Sequence, residues 1–153
     1  MPSLELKIPP PAVALVVALA MWWVSRYGVL EGVSPAWRIG AALAVAGVGA
    51  AFDVAGIIAF GRAKTTVNPM KPEKSAALVC SGVYRITRNP MYVGMVLILL
   101  AWAVYLASPW ALFGPLAFAA YITRFQIAPE ERVLAGRFGA EFASYQARVR
   151  RWL

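Results

Sequence analysis

The most consequential absence in this sequence is histidine, of which there is none among the 153 residues. Without imidazole, a Ser-His-Asp triad, a histidine pH switch and the common imidazole metal sites are excluded. Cysteine is nearly absent as well, because Cys80 is the only one. It cannot form an intrachain disulfide and has no thiolate partner for a metal. No metal site is therefore expected, and the available groups are carboxylates, Tyr, Arg, Asn and the backbone.

Charge is scarce too: Lys, Arg, Asp and Glu make up 14% of the chain, whereas 61% is hydrophobic. The mean hydropathy of +0.65 is typical of a protein that lies in a bilayer. The formal net charge is +8, which in a soluble protein would raise nucleic acid as a partner. Basic loops that lie against anionic lipid explain it better, so no nucleic-acid partner is predicted. The length favours one domain over residues 1–153.

Four apolar segments follow one another along the chain, and they predict an all-α integral membrane fold with about four transmembrane helices. A span needs about 20 apolar residues, within a range of roughly 17–25, and helices bond their own backbone groups inside the bilayer. The first segment is short, so whether it spans fully stays open. Only Ser108 and Pro109 separate the last two, which predicts a tight helical hairpin. The segments are residues 12–27, 37–60, 91–107 and 110–127.

The basic residues predict the orientation of these spans. Twelve of the fifteen Lys and Arg residues lie in the loop 61–90 or from Arg124 onward. Positive loops remain on the cytoplasmic side of a membrane. The loop, the tail 128–153 and both termini are therefore predicted to be cytoplasmic, in a bacterial inner membrane. The same reasoning puts the polar clusters described below on the cytoplasmic side.

The tail shows a helical apolar period that predicts an amphipathic interfacial helix. Gly136 and Gly139 weaken that helix and predict a break or kink near Phe138. The apolar positions recur at steps of three and four and are Leu134, Phe138, Phe142, Tyr145, Val149 and Trp152.

Two polar clusters lie at adjoining ends of the predicted hairpin. Arg88, Asn89 and Pro90 come just before the third segment, and Glu130 and Glu131 come just after the fourth. Polar groups at the mouth of an apolar bundle are costly to desolvate, which indicates a site for a charged ligand. The two glutamates have a simpler interpretation, as acidic residues that a helix dipole favours in its first turn.

The second segment contains one acidic residue and several small ones. Asp53 lies near its middle, where a carboxylate has either a functional role or a structural hydrogen bond with a neighbouring helix. Both interpretations stay open. A stripe of small residues in the same segment predicts close helix packing; it comprises Gly40, Ala44, Gly47, Ala51 and Ala55.

Four sequence blocks, in this order and around a helical hairpin, resemble the isoprenylcysteine carboxyl methyltransferase family. This family belongs to a wider group of membrane methyltransferases that includes phospholipid methyltransferases. The resemblance runs from about Thr65 to Trp152. The blocks are Leu78-Val79-x-Ser81-Gly82-Val83-Tyr84, Arg88-Asn89-Pro90-x-Tyr92-x-Gly94, Glu130-Glu131-x-x-Leu134 and Phe138-Gly139-x-Glu141-Phe142-x-x-Tyr145.

The resemblance implies S-adenosylmethionine as methyl donor, S-adenosylhomocysteine as product and a lipophilic acceptor that enters from the bilayer. Glu130 would accept the donor's ammonium, and the rings of Tyr84 and Tyr92 would meet its adenine or sulfonium. Asn89 and Arg88 are the catalytic candidates. Carried over by position, the donor-binding residues are Leu78, Val79, Tyr84, Asn89, Pro90, Met91, Tyr92 and Glu130.

The chain departs from that family at two positions. The family's eukaryotic carboxyl methyltransferases have His where this chain has Asn89, so an ionisable group is replaced by an amide. They also have Arg four residues before the first Glu, assigned to the substrate carboxylate, where this chain has Gln126. Arg124 is the nearby basic residue, so Arg124 and Gln126 are the predicted substrate-binding pair. Two alternatives remain: a phospholipid or other amine N-methyltransferase, and a catalytically silent membrane adaptor or small transporter subunit of the same fold.

Overall fold

The computed structural model describes residues 5–63 and 77–153, and all regular structure within them is helical. This confirms the all-α prediction. Of the predicted loop 61–90, residues 64–76 lie outside the described part, including Lys64, Lys71 and Lys74. The helices are α1 (Pro10–Ser25), α2 (Pro35–Arg62), α3 (Pro90–Leu106), α4 (Phe113–Ile122) and α5 (Ala128–Arg148). Single 3₁₀ turns lie at Gly82–Arg85 and Pro109–Leu112, and a π-helical turn, Thr123–Ile127, joins α4 to α5.

Proline and a left-handed residue define the ends of the hairpin between α3 and α4. Pro90 opens α3 and Pro109 opens the next helical turn. Proline suits a first turn because that turn leaves its N–H groups unbonded anyway. Ala107 follows α3 with a φ of 47°, and its N–H donates to Val104 O. The chain therefore reverses within a few residues, which confirms the predicted tight hairpin.

Two helical stretches are long and apolar enough to cross a bilayer: α2 and the continuous stretch Pro109–Arg148. The apolar part of the latter is the predicted span 110–127, and the charged residues of α5 lie beyond it. The helices α1 and α3 are apolar but shorter, at 16 and 17 residues. By length, they fall at the lower limit for a span.

The helices α2 and α3 approach closely at a pair of glycines. A Cβ built on Gly94 would lie 2.2 Å from Asp53 Oδ1 and 2.7 Å from Gly49 O, and one on Gly49 would lie 2.8 Å from Gly94 O. The prediction that the stripe from Gly40 to Ala55 packs against another helix is therefore wrong for the described residues. A Cβ on Gly40 or on Gly47 would have nothing within 4 Å. The packed face lies on another side of α2.

The main core lies between α1, α3 and α4. Phe118, Ile122 and Ile127 are completely buried, and they pack against side chains of α1 and α3. The indole Nε1 of Trp102 donates to Ala18 O at 3.0 Å, which links α3 to α1. This core therefore packs both arms of the hairpin against α1.

The tail differs from the sequence prediction at its end. The helix α5 ends at Arg148, and Val149 is extended with φ −124° and ψ 131°. Val149 and Trp152 therefore do not belong to a helical face. Residues 149–152, which we call the C-terminal strap, fold back on the protein instead, because their carbonyls find donors there. The predicted kink is confirmed at Gly139, whose φ of 48° suits glycine.

Candidate functional site

Glu130 lies at the centre of the first polar cluster. Tyr92 Oη donates to Glu130 Oε1 at 2.8 Å, and Gln126 Nε2 donates to the same oxygen at 2.7 Å. Tyr92 belongs to the first turn of α3 and Gln126 to the π-helical turn, so the carboxylate joins both arms of the hairpin. The side chains of Tyr92 and Gln126 are buried.

The environment of Glu130 changes its acidity. Burial raises the pKa of this carboxyl to about 7, although the hydrogen bonds from Gln126 and Tyr92 act in the opposite direction and the neighbouring Glu131 adds to the rise. Burial disfavours the charged form of an acid. Glu130 therefore changes its charge near neutral pH, as groups at functional sites often do.

Glu131 points to a different set of partners, because adjacent residues on a helix project about 100° apart. Its Oε1 lies 2.7 Å from Arg88 Nη2, and its Oε2 lies 2.6 Å from Arg151 Nη2. Burial raises the pKa of Glu131, but the hydrogen bonds from Arg151 and Arg88 outweigh it and hold the pKa below its usual value. Glu131 is thus tightly paired with two arginines, whereas Glu130 titrates near neutral pH.

The C-terminal strap closes against residues 87–89 through its backbone carbonyls. Arg88 N donates to Arg150 O at 2.9 Å, and Thr87 Oγ1 donates to Arg151 O at 3.1 Å. The side-chain amide of Asn89 also donates to Arg151 O, at 2.9 Å. Arg88 Nη1 reaches Val149 O at 2.6 Å. The strap therefore orients each side chain of the segment that leads into α3.

Tyr84 occupies the wall between this segment and α2. Its ring is buried and packs edge-on against Phe60, with centroids 5.4 Å apart. Its carbonyl accepts a hydrogen bond from Tyr145 Oη at 2.7 Å. Burial raises the pKa of Tyr84 well above its ordinary range, and the charges of Tyr145 and Glu130 add to the rise. Tyr84 is therefore a neutral aromatic surface that lies within electrostatic reach of Glu130.

The structure separates the predicted site residues into two groups. Those in contact with the Glu130 cluster or the strap are Tyr92, Asn89, Arg88 and Gln126. Val79 and Pro90 are buried nearby in sequence, and Leu78 and Met91 are partly buried. Arg124, by contrast, is exposed and pairs with Glu5. Gln126, the other predicted substrate-binding residue, is buried.

Three contributors to the site were not expected from the sequence. Arg151 and Thr87 take part through the strap, and the π-helical turn underlies Gln126. The Arg150-Arg151 pair between the last two apolar positions, Val149 and Trp152, was the available signal for the strap. Among the described residues, no group of three or more Cys, Asp or Glu side chains could hold a metal ion.

A family model described as phospholipid methyltransferase matches residues 37–141, well over half of the chain. The chain belongs to this family. Two Arabidopsis thaliana proteins, protein-S-isoprenylcysteine O-methyltransferases A and B, are each 30% identical over 131 residues. The aligned region covers 84% of this chain and 58% of each plant protein. The resemblance to isoprenylcysteine methyltransferases is thereby confirmed.

A shorter relative aligns over its full length. An uncharacterised protein of Haemophilus influenzae is 46% identical over 63 residues, which is 41% of this chain and 100% of that protein. The chain spans 58% of the length of each plant relative, which is less than two thirds. No solved structure matches it.

Proposed function

We propose that this protein is an integral membrane methyltransferase that uses S-adenosylmethionine to methylate a lipophilic acceptor. The observation that carries the proposal is Glu130, a buried carboxylate held by Tyr92 and Gln126 where the two arms of the hairpin meet. A buried carboxylate requires a charged partner or a proton. Membership of the methyltransferase family supplies the reaction class.

The residues around Glu130 fit the methyl donor. Within the described residues, Tyr92 and Gln126 both donate to Oε1 of Glu130, so Oε2 is the oxygen that would accept the donor's ammonium. The rings of Tyr84 and Tyr92 suit adenine or a sulfonium cation. Backbone N–H groups in the first turn after Pro90 would meet the donor's carboxylate. Leu78, Val79 and Met91 would supply the apolar part of the pocket.

The chain's own residues would act by alignment and electrostatics. When bound, the donor supplies a methyl group on a positively charged sulfur, which an in-line nucleophile can take without a metal. Asn89 is held by the strap and Arg88 is held by Glu131, so we assign both to positioning the donor segment. A dry, preorganised site provides most of the acceleration in such a transfer.

The acceptor we favour carries an amine, as in a phospholipid headgroup, rather than a prenylcysteine carboxylate. Gln126 cannot supply a positive charge, and its amide already donates to Glu130. The exposed Arg124 pairs with Glu5, and Arg88 and Arg151 are held by Glu131. A carboxylate beside Glu130 would thus meet a second negative charge. The description of the matching family favours the same choice.

Purified protein, labelled S-adenosylmethionine and a lipid extract would test the proposal. We expect a labelled amine product, and weak or no turnover of a farnesylated cysteine.

Glu130→Ala should weaken donor binding by about ten- to hundredfold, since a charge-assisted contact contributes roughly 1.5–3 kcal/mol. Unchanged binding by a folded Glu130→Ala protein would refute the donor site. A labelled methyl ester on farnesylcysteine that survives Arg124→Ala and gains nothing from Gln126→Arg would refute the acceptor.

A further inference from the structure

The π-helical turn between α4 and α5 changes which residues share a face. Arg124 lies within this turn, and Arg132 lies eight residues after Arg124. In an uninterrupted α-helix, side chains eight residues apart project in directions that differ by about 80° around the helix axis. A π-helical turn absorbs one extra residue, which leaves the two side chains about 20° apart. The turn therefore brings the two guanidinium groups together on the outside of the bundle.

Both arginines hold the same carboxylate. Arg124 Nη1 lies 2.9 Å from Glu5 Oε1, and Arg132 Nη2 bonds Glu5 Oε2. The residues 5–9, which we call the N-terminal arm, are attached at this place by the backbone. Leu6 N donates to Phe125 O at 3.0 Å, a carbonyl of the π-helical turn. The π-helical turn thus aligns the two arginines and also anchors the N-terminal arm, whose Glu5 binds both of them.

The geometry shows what the arginine pair can bind. Each guanidinium takes a different oxygen of one small oxyanion, which is the arrangement that carboxylate and phosphate groups favour. Both side chains are 63% exposed, and Glu5 is 24% exposed. Exposed ion pairs of this kind contribute little to stability. Another anion that is present at high local concentration can therefore displace the Glu5 carboxylate from the two arginines.

The position of the pair along the chain indicates where that anion comes from. Residues 110–122 contain no charged side chain, and Arg124 is the first one after them. In a bilayer, the end of an apolar segment lies at the level of the lipid headgroups. A basic pair there faces lipid phosphate, held at high local density in the membrane plane. Lys7, two residues after Glu5 in the arm, adds a further positive charge.

We propose that Arg124 and Arg132 bind the phosphate of an anionic phospholipid headgroup, and that Glu5 occupies this site until such a lipid displaces it. The site lies outside the Glu130 cluster and requires no methyl transfer. It does require that the end of α4 lies at the bilayer surface. The arm is thereby an internal competitor that weakens lipid binding.

Lipid retention by the full chain in nanodiscs of phosphatidylcholine, with and without phosphatidylglycerol, tests this site. Native mass spectrometry after release counts the lipids that remain bound. Wild-type protein should retain phosphatidylglycerol in preference to phosphatidylcholine. Each arginine should account for about a fivefold preference, as a basic residue near an anionic surface does. Arg124→Gln with Arg132→Gln should therefore lose most of it.

Two further variants separate the site from general basicity. Arg137→Gln with Arg148→Gln removes two charges from the same helix and should leave the preference unchanged. Glu5→Gln removes the competitor and should tighten retention by about two- to fivefold. Equal losses in both arginine pairs, or no gain from Glu5→Gln in a protein of unchanged melting temperature, would overturn the proposal. Competition by millimolar inorganic phosphate as strong as that by the lipid would show a free-phosphate site instead and would also overturn it.

Discussion

At the scale of single residues, the two adjacent glutamates have opposite electrostatic states. Glu131 is neutralised by Arg88 and Arg151, whereas burial raises the pKa of Glu130 to about 7. Sequence alone could not distinguish them, because both are acidic residues in one helical turn. The distinction comes from the 100° rotation between them, which points one at α3 and the other at the strap.

This difference predicts a pH dependence of donor binding. If the ammonium of S-adenosylmethionine binds ionised Glu130, affinity should be highest where the ligand's α-amino group, with a usual pKa of about 7.7–8.0, is protonated and the carboxyl, with a pKa of about 7, is ionised. It should fall by about tenfold for each pH unit below that pKa, because protonation then competes with the ligand. Calorimetry from pH 5.5 to 8.5 measures the slope. Glu130→Gln should bind weakly with a flat profile, and a wild-type slope in that variant would refute the assignment.

A second prediction at this scale concerns the glycine contact between α2 and α3. Gly94→Ala places a methyl group 2.2 Å from Asp53 Oδ1 and should destabilise the fold by about 1–3 kcal/mol. Gly47→Ala, with nothing within 4 Å, is the matched control and should be neutral or slightly stabilising. Thermal unfolding in detergent compares them. Adding Asp53→Ala should recover part of the Gly94→Ala loss, and equal melting temperatures for the two alanine variants would contradict the close contact.

At the scale of elements, the C-terminal strap holds residues 87–89 in place. Residues 87–89 receive their partners from the backbone of residues 150–151. Arg151 fixes the strap to Glu131. The strap therefore supplies the hydrogen-bond acceptor that fixes the Asn89 side chain, a role that a neighbouring strand or helix has in other sites.

Arg151→Ala should loosen this attachment. The partly exposed pair with Glu131 is expected to contribute about 1 kcal/mol. The amide of Arg88, which donates to Arg150 O, should exchange its hydrogen several-fold faster. Hydrogen exchange with mass spectrometry measures this. The matched control is Arg150→Ala, because the exposed side chain of Arg150 makes no hydrogen bond or ion pair within the described residues. Identical protection in the two variants would mean that the side chain of Arg151 does not hold the strap.

The elements differ in how far the sequence could predict them. The hairpin was predictable because Ser108 and Pro109 leave no room for another path, and the kink was predictable from Gly139. The strap was not, since an extended segment has no period and its partners lie about sixty residues away. The packed face of α2 was predicted wrongly because small residues occur on two sides of that helix. The side that packs against α3 is the one with Gly49 and Gly56, where an added Cβ would lie 2.8 Å from Gly94 O and from Met91 Cγ, respectively.

At the scale of the whole molecule, the placement of charge predicts the topology in the membrane. Basic residues are concentrated on the Glu130 side, and the hairpin tip at Ser108 and Pro109 has none. The tip should therefore lie on the side opposite to α5. In a Cys80→Ser background, Pro109→Cys and Ser144→Cys place thiols at exposed positions on the two sides. An impermeant reagent added to intact cells should label only Pro109→Cys, and labelling of Ser144→Cys alone would invert the proposed orientation.

The strap also imposes an order on the making of the protein. A ribosome adds Thr87 and Asn89 more than sixty residues before Arg151, whose carbonyl bonds both. The partners of the Arg88 side chain also come late: Glu131 is added 43 residues after it, and Val149 is added 61 residues after it. The apolar hairpin is thus synthesised before the strap can form its hydrogen bonds with residues 87–89. Nascent chains that stop after α4 should insert into the membrane and yet bind no donor, because the proposed site forms only after the strap has been synthesised.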